Sequence, residues 1–245
     1  YILTSETCAL ETIGAEFIRD VEPGEIVTID EDGMHSTKLF NHAQNALCIF
    51  EFIYIARPDS NIDGINVNKA RRLMGRELAK EAPLDVDVVI SVPDSGTTAA
   101  IGYAEESGIP FTQGILKNRY TGRSFIQPTQ EMREQMVKLK LNPIRDALEG
   151  KRIAVVDDSI VRGTTSRKLV KLLREYGAKE VHMLISAPPV KYPCFYGVDT
   201  GNPEELIASK MDVEQICEYI GADSLHYLSM EGILKAVEWS GCGFC

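Results

Sequence analysis

No stretch of the 245 residues is apolar over anything near the ~20 positions that span a bilayer. Nor does a basic-then-apolar leader open the chain. No membrane partner is expected, and the expected setting is cytoplasmic. Positive charge is scarce too: 26 Lys and Arg stand against 36 Asp and Glu, a net charge of −10. Non-specific nucleic-acid binding needs a basic surface, so no nucleic-acid partner is expected. Cysteine is sparse, with 6 residues in a chain whose 44% hydrophobic content can build a core without cross-links. That pattern fits a reduced compartment. An acidic protein that takes an anionic ligand must gather its positive charge in one place. Residues 117–145 do so, with Lys117, Arg119, Arg123, Arg133, Lys138, Lys140 and Arg145 facing only Glu131 and Glu134.

Residues 1–47 read as β structure. Glu16 to Val21 partly alternates, Pro23-Gly24 marks a turn, Ile26 to Ile29 is a short apolar run, and Asp32-Gly33 signals a hairpin. So few strands bury little by themselves, and the segment is expected to be the end of something larger. From about residue 48 helices and strands alternate. Val67 to Ala82 has a helical period through Val67, Ala70, Leu73, Met74 and Leu78, with Pro83 beyond it. Val86 to Val92 and Ile153 to Val156 are near-continuous apolar runs, the mark of strands covered on both faces. Thr97 to Glu106 and Ser166 to Tyr176 read as helices, and Val181 to Ala187 as a further strand. The expected fold is α/β, a parallel or mixed sheet with helices on both faces. Between 117 and 150 neither period holds for long, which suggests a functional loop or lid.

The richest segment is 153–166. Its apolar strand ends at the adjacent carboxylates Asp157 and Asp158, and Arg162, Gly163, Thr164, Thr165 and Ser166 follow where a helix begins. Ligands of open α/β sheets bind at such strand ends. Glycine and hydroxyl residues before a helix offer donors and a dipole to a phosphate. The aspartates would repel that phosphate; they suit a metal ion or sugar hydroxyls. Ser91 to Thr98 repeats the grammar, with Asp94, Ser95, Gly96 and Thr97 after an apolar strand. Alone it could be an ordinary helix cap. Together the two segments fit a sugar with a monophosphate at one end and a pyrophosphate at the other. Cys242-Gly243-Phe244-Cys245 can be a metal or cluster ligand pair, a redox dithiol, or chance spacing.

Residues 153–166 resemble the phosphoribosyl pyrophosphate (PRPP) loop of type I phosphoribosyltransferases. The wider set resembles the glutamine PRPP amidotransferase family, in its iron–sulfur branch. It comprises Ser5 to Leu10, Cys48 to Tyr54, Ala56 to Ser60, Val92 to Gly96, Lys117 to Tyr120 and Asp157 to Thr165. The resemblance implies a type I phosphoribosyltransferase domain over 48–245, preceded over 1–47 by the last strands of an N-terminal-nucleophile glutaminase domain. The implied reaction opens de novo purine synthesis: ammonia from glutamine displaces pyrophosphate from PRPP to give phosphoribosylamine.

Roles follow residue by residue from that resemblance. Arg162 to Ser166 would cradle the 5′-phosphate, and Asp94 to Thr97 the pyrophosphate. Asp157 and Asp158 would be the catalytic pair, holding the ribose hydroxyls and, with Ser95, magnesium. The basic loop from Lys117, with Arg119 and Tyr120, would close over the site. Cys48, Cys194, Cys242 and Cys245 would hold a four-iron four-sulfur cluster, although zinc also accepts four thiolates. A homotetramer or dimer of dimers is likewise a family inference. The family's glutaminase begins with cysteine, whereas this chain begins with Tyr1 and has Cys8 internal. A fragment is therefore expected, competent only with free ammonia. A salvage purine phosphoribosyltransferase and a PRPP-sensing regulatory module are the alternatives.

Overall fold

The structure, a computed structural model, describes residues 1–39, 46–118, 141–198, 200, 202–238 and 243–245. It packs as two compact units, residues 1–70 with 237–245, and residues 71–236.

The first unit opens with a short helix, α1 (Thr7–Thr12), which the strand pattern of this region did not suggest. Cys8 and Leu10 are its buried residues. Glu6, just before it, accepts from the Arg57 amide and the Ser60 hydroxyl, both at 2.8 Å. Two of the segments that carry the resemblance are thus tied together. Glu16 to Val21 does not form the expected strand. Arg19 turns instead to Glu25, at 2.8 and 2.6 Å. The hairpin at Asp32-Gly33 is present: β1 (Glu25–Asp30) pairs antiparallel with β2 (Gly33–Lys38), Asp30 opposite Gly33. Phe17, Ile18, Val21, Ile26 and Ile29 remain exposed. After a wide helical turn at Glu51–Ile55 comes a second tight hairpin, β3 (Asn61–Ile62) and β4 (Ile65–Asn66). Its turn residues Asp63 and Gly64 both have positive φ, 47° and 78°, as a two-residue hairpin loop requires. α2 (Val67–Glu81) then runs into the second unit.

The second unit is built on β5 (Val88–Ser91), β8 (Arg152–Asp157), β9 (Glu180–Ile185) and β10 (Ser224–Tyr227). They lie in the order β10-β9-β8-β5 and every pairing is parallel. β5 is buried along its whole length, and Ile153 to Val156 of β8 are 0% exposed. The apolar runs in the sequence arise because both faces are covered. One face packs Ile153, Val155, Val181 and Met183 against Leu169, Val170 and Leu173 of α5 (Thr164–Glu175) and Ile216 and Ile220 of α6 (Val213–Ile220). Each fully buried leucine there contributes roughly 2 kcal/mol. α3 (Thr97–Ser107) contacts β5 and β8 but buries Ala99, Ala100 and Tyr103 outside that cluster, on the other face. The chain therefore leaves β5 toward one face and β8 toward the other. Such divergence opens a crevice at the carboxyl ends of neighbouring strands.

Residues 117–150 hold more structure than their pattern suggested. β6 (Ile115–Lys117) pairs antiparallel with β7 (Leu141–Pro143), Lys117 opposite Leu141. α4 (Arg145–Leu148) follows, with Ala147 and Leu148 in the core. The pieces are three or four residues long, too short to show a period. Arg119, Tyr120 and the rest of the proposed lid through 140 lie outside the described residues. α7 (Met230–Val237) ends the unit's helices.

Candidate active site

At the end of β8 the two acids take different positions. Asp158 is 7% exposed; Asp157 is partly exposed. The Asp158 amide donates to Asp157 Oδ1 at 2.9 Å, turning the pair into a tight corner. Ser159 Oγ donates to Asp158 Oδ1 at 2.5 Å, and the Ser95 hydroxyl donates to the same carboxylate. Burial pushes both carboxyls above the usual range, and Asp158 adds to the rise at Asp157. The two hydroxyls and the charge of Arg71 partly offset the rise at Asp158.

The loop after β5 meets this corner because it contains a glycine. A Cβ on Gly96 would fall 2.5 Å from the Val156 carbonyl oxygen and 3.1 Å from Asp157 Cα. No side chain fits, so the Asp94–Thr97 loop lies directly on the end of β8. The Val92 amide donates to the Val156 carbonyl at 2.9 Å, continuing the ladder to that point. The Pro93–Asp94 peptide is cis. Thr97 Oγ1 lies 3.2 Å from Ser91 Oγ. Asp94 is exposed and accepts from Lys117 Nζ at 2.6 Å. The stem of the basic loop thereby reaches the pyrophosphate candidate.

The loop after β8 uses its glycine otherwise. Gly163 precedes α5 with φ +73°, a left-handed conformation that glycine adopts without strain. No side chain caps the helix there. The amides of Thr164, Thr165 and Ser166 precede the first helical bond, that of Arg167 to Gly163 at 2.9 Å, and suit an anion. The Arg162 guanidinium is turned away to Glu205, at 2.9 and 2.5 Å. Arg162 can therefore serve this cradle through its backbone. Arg167 stacks on Tyr219 at 5.1 Å.

Hydroxyl and carboxylate oxygens from Asp157, Asp158 and Ser95 are the hard donors magnesium prefers, and that ion commonly takes one or two carboxylates plus substrate phosphates. Among the described residues, no three or more His, Cys, Asp or Glu side chains gather into a metal group. Cys48 and Cys245 are nonetheless neighbours: the Cys245 amide donates to Leu47 O at 2.9 Å. Burial raises the Cys48 thiol, and Cys245 adds to the rise. Cys194, in the other unit, has its thiol drawn below the usual range by amides; that of Tyr196 reaches its sulfur at 3.3 Å, and Val198 and Gly197 reinforce it. Amide hydrogen bonds of this kind suit cluster thiolates. Cys242 lies outside the described residues.

Two site neighbours escaped the sequence reading. Ser159 reads as one hydroxyl among several in its loop. Arg71 sits in a helical period whose charged positions are expected to face water.

Comparison with known proteins agrees with this geometry. Residues 63–193 match the phosphoribosyl transferase domain family. Proteins named amidophosphoribosyltransferase from Bacillus subtilis (strain 168) and Synechococcus elongatus are 54% and 57% identical over 100% of this chain, which covers 52% and 50% of them. One from Archaeoglobus fulgidus is 53% identical, again over 100% of this chain and 54% of its own length. A solved glutamine PRPP amidotransferase from B. subtilis, complexed with ADP and GMP, superposes with a TM-score of 0.91 at 55% identity, covering 98% of this chain and 54% of that one. The chain spans about half the length of the curated relatives it matches. With the matched segment running from the β3–β4 hairpin past β9 and across both strand-end loops, the chain belongs to the phosphoribosyl transferase domain family.

Proposed function

We propose that this chain is the PRPP-using part of an amidophosphoribosyltransferase, which makes phosphoribosylamine and pyrophosphate from PRPP and ammonia. The observation that carries the reading is the contact at Gly96, which sets two anion-suited loops on either side of the Asp157–Asp158 pair. The ammonia lone pair forms the new bond at the anomeric carbon as the bond to pyrophosphate breaks, and the excess proton leaves with solvent. Positive charge grows on the ribose while negative charge grows on the leaving group. Asp157 and Asp158 hold the ribose hydroxyls and stabilise the first charge. The loop of Asp94, Ser95, Gly96 and Thr97 receives the second through its hydroxyls and backbone rather than the Asp94 carboxylate, with Lys117, Arg119 and Tyr120 supplying positive charge and donors, and Arg162 to Ser166 anchor the 5′-phosphate. These are electrostatic and positioning effects. Magnesium, held by Asp157, Asp158 and Ser95, supplies neutralisation of the pyrophosphate when bound.

In the same reading residues 1–47 close a glutaminase domain and 48–245 form the transferase. The exposed apolar side chains of the β1–β2 hairpin support a larger β domain there. Cys48, Cys194, Cys242 and Cys245 are proposed as ligands of a four-iron four-sulfur cluster, supported by the Cys48–Cys245 proximity and the amide-bonded Cys194. The setting is cytoplasmic and the protein a homo-oligomer, a tetramer by family resemblance; no described helix is long and apolar enough to cross a membrane. The B. subtilis structure holds GMP, which shares the ribose 5′-phosphate of PRPP, so competition by nucleoside monophosphates belongs to the proposal.

Pyrophosphate release from PRPP with ammonium as the only nitrogen source tests the reading. Release that requires both PRPP and ammonium is expected. Release with adenine, guanine or hypoxanthine in place of ammonium would overturn it in favour of salvage.

A further inference from the structure

The turn that leads into α5 is gripped by one distant stretch of chain. Between Ser159 and Gly163 the backbone forms neither helix nor strand, so contacts from elsewhere must set its shape. Residues 205–219 supply them. The Ile207 amide donates to the Val161 carbonyl at 2.9 Å. Ile207 Cδ1 lies 2.6 Å from where a Cβ on Gly163 would stand, and Tyr219 Cε1 lies 3.3 Å from the same point. The Arg167 guanidinium sits over that tyrosine ring, 5.1 Å from its centroid. One ring therefore bears on both partners of the first helical bond of α5, which runs from Arg167 to Gly163. Gly163 is buried although it belongs to a loop.

The gripping stretch has its own anchors. Ser209 Oγ donates to the Pro203 and Leu206 carbonyls at 3.0 and 2.8 Å, tying together the single turns Pro203–Glu205 and Ile207–Ser209. Asp212 and Gln215 cap each other at the start of α6, at 2.9 and 3.0 Å. Ile216 and Ile220 sink that helix into the core, and Tyr219 packs against the same cluster. The Arg162–Glu205 pair reaches the turn too, but its side chains are 55% and 44% exposed, so it holds weakly. The grip falls to Ile207 and Tyr219.

We propose that Ile207 and Tyr219 are positioning residues for the 5′-phosphate: they hold the Val161–Gly163 turn in its left-handed shape before a ligand arrives, so that the uncapped amides of Thr164, Thr165 and Ser166 meet the phosphate already arranged. The inference rests on reading this loop as the 5′-phosphate cradle of a PRPP site. Amides at a helix start crowd their positive ends together when no anion is bound. A turn without a brace relaxes and must be reordered on binding, which weakens affinity. The Asp94–Thr97 loop is set against β8 through Gly96 instead. Loss of the brace therefore weakens the hold on one end of the substrate and spares the other.

The test takes the full-length protein with Tyr219→Ala and Tyr219→Phe. Ribose 5-phosphate probes the cradle and magnesium pyrophosphate probes the other loop, both by titration calorimetry, and KM for PRPP and kcat are measured with saturating ammonia. Y219A is expected to weaken ribose 5-phosphate and raise KM by ~10-fold each, with pyrophosphate affinity and kcat within about threefold of wild type. Y219F should stay within about twofold throughout, because the ring face under Arg167 is kept. A ring that only stabilised the fold would lower the thermal midpoint and leave the ratio of the two affinities unchanged. A folded Y219A with that ratio unchanged overturns the proposal. Should Y219A fail to fold, Ile207→Val trims the methyl that faces Gly163, and the same ratio is expected to move by ~3-fold. Wild-type protein that binds neither ligand sinks the site reading itself; wild-type protein that binds both, beside an unchanged Y219A, sinks only the role of the brace.

Discussion

The loops that follow β5 and β8 share one grammar of apolar strand, acid, hydroxyls, glycine and helix, yet their glycines answer different constraints. Gly96 has an ordinary φ of −75° and is needed because a carbonyl lies 2.5 Å from where its Cβ would be. Gly163 has a φ of +73° and precedes a first turn of α5 whose amides no side chain caps. One glycine permits contact between strands; the other shapes a donor array. The acids differ in the same way. Asp94 is exposed and paired with Lys117, whereas Asp158 is buried and held by the hydroxyls of Ser159 and Ser95. Similar sequence therefore marks one loop for packing and the other for presenting amides, with Asp157 and Asp158 held between them.

The largest effect should come from the acids the two loops enclose. Asp157→Asn or Asp158→Asn is expected to cut ammonia-dependent turnover at least ~100-fold while the fold survives, because asparagine keeps the shape and loses the charge. Near-wild-type rates at saturating PRPP and ammonia would break the idea that both loops serve one ligand. The glycines come next. Gly96→Ala should cost ~1–3 kcal/mol in urea unfolding, since a backbone carbonyl cannot retreat as a side chain can. Gly163→Ala should cost about 1–2 kcal/mol for its left-handed backbone. The Ile207 methyl, 2.6 Å from its Cβ, is the softer obstacle. KM for PRPP should rise in both. Equal stability losses with an unchanged KM for Gly163→Ala would erase the distinction between the loops.

Lys117→Met sharpens the contrast between the exposed and buried acids. The Lys117–Asp94 pair is solvent-exposed, with side chains 53% and 76% exposed, so the unfolding midpoint should hardly move. Pyrophosphate affinity should fall roughly 10-fold, because a lysine beside a polyanion acts as a point charge. A fall in stability without a change in pyrophosphate binding would mean that the pair is structural.

Much of this was legible in the sequence. The strands β5, β8 and β9 announce themselves because burial on both faces leaves no polar alternation to read. The Asp157-Asp158 corner is legible because two adjacent carboxylates after such a run have no packing use. The role of Gly96 is not legible: its neighbour is Val156, sixty residues away, and no local pattern records that approach. Arg71 was obscured by its own helix, where a period that includes Leu73 fits the sequence about as well as the period the structure adopts. The strand expected over Glu16 to Val21 failed because Arg19 found Glu25 instead. α6, β10 and α7 are not legible, since eight, four and eight residues carry little signal.

The smallest effect lies at the far end of α3, where the comparison becomes one between the two ends of a single helix. Its first turn belongs to the site; near its last turn Glu105 is clamped to α2 by Arg72, with Nε to Oε2 at 2.8 Å, and by Arg76 at 2.9 Å. Arg72 first, then Arg76, hold the Glu105 carboxyl down to about 2 from a usual 4.5. An acid with a lowered folded-state value adds stability above its unfolded value and loses it as pH falls through the folded one. Glu105→Gln should therefore lower the thermal midpoint slightly at pH 7. The gap from wild type should shrink as pH drops from 4.5 toward about 2, and added salt should narrow it too. PRPP turnover at saturating substrate should stay unchanged, because the backbone contacts at Gly75 and Gly102, not this exposed pair, fix the two helices. A large loss of turnover in Glu105→Gln would show that the ion pairs, and not the glycine crossing, set the position of α3 and of the loop before it.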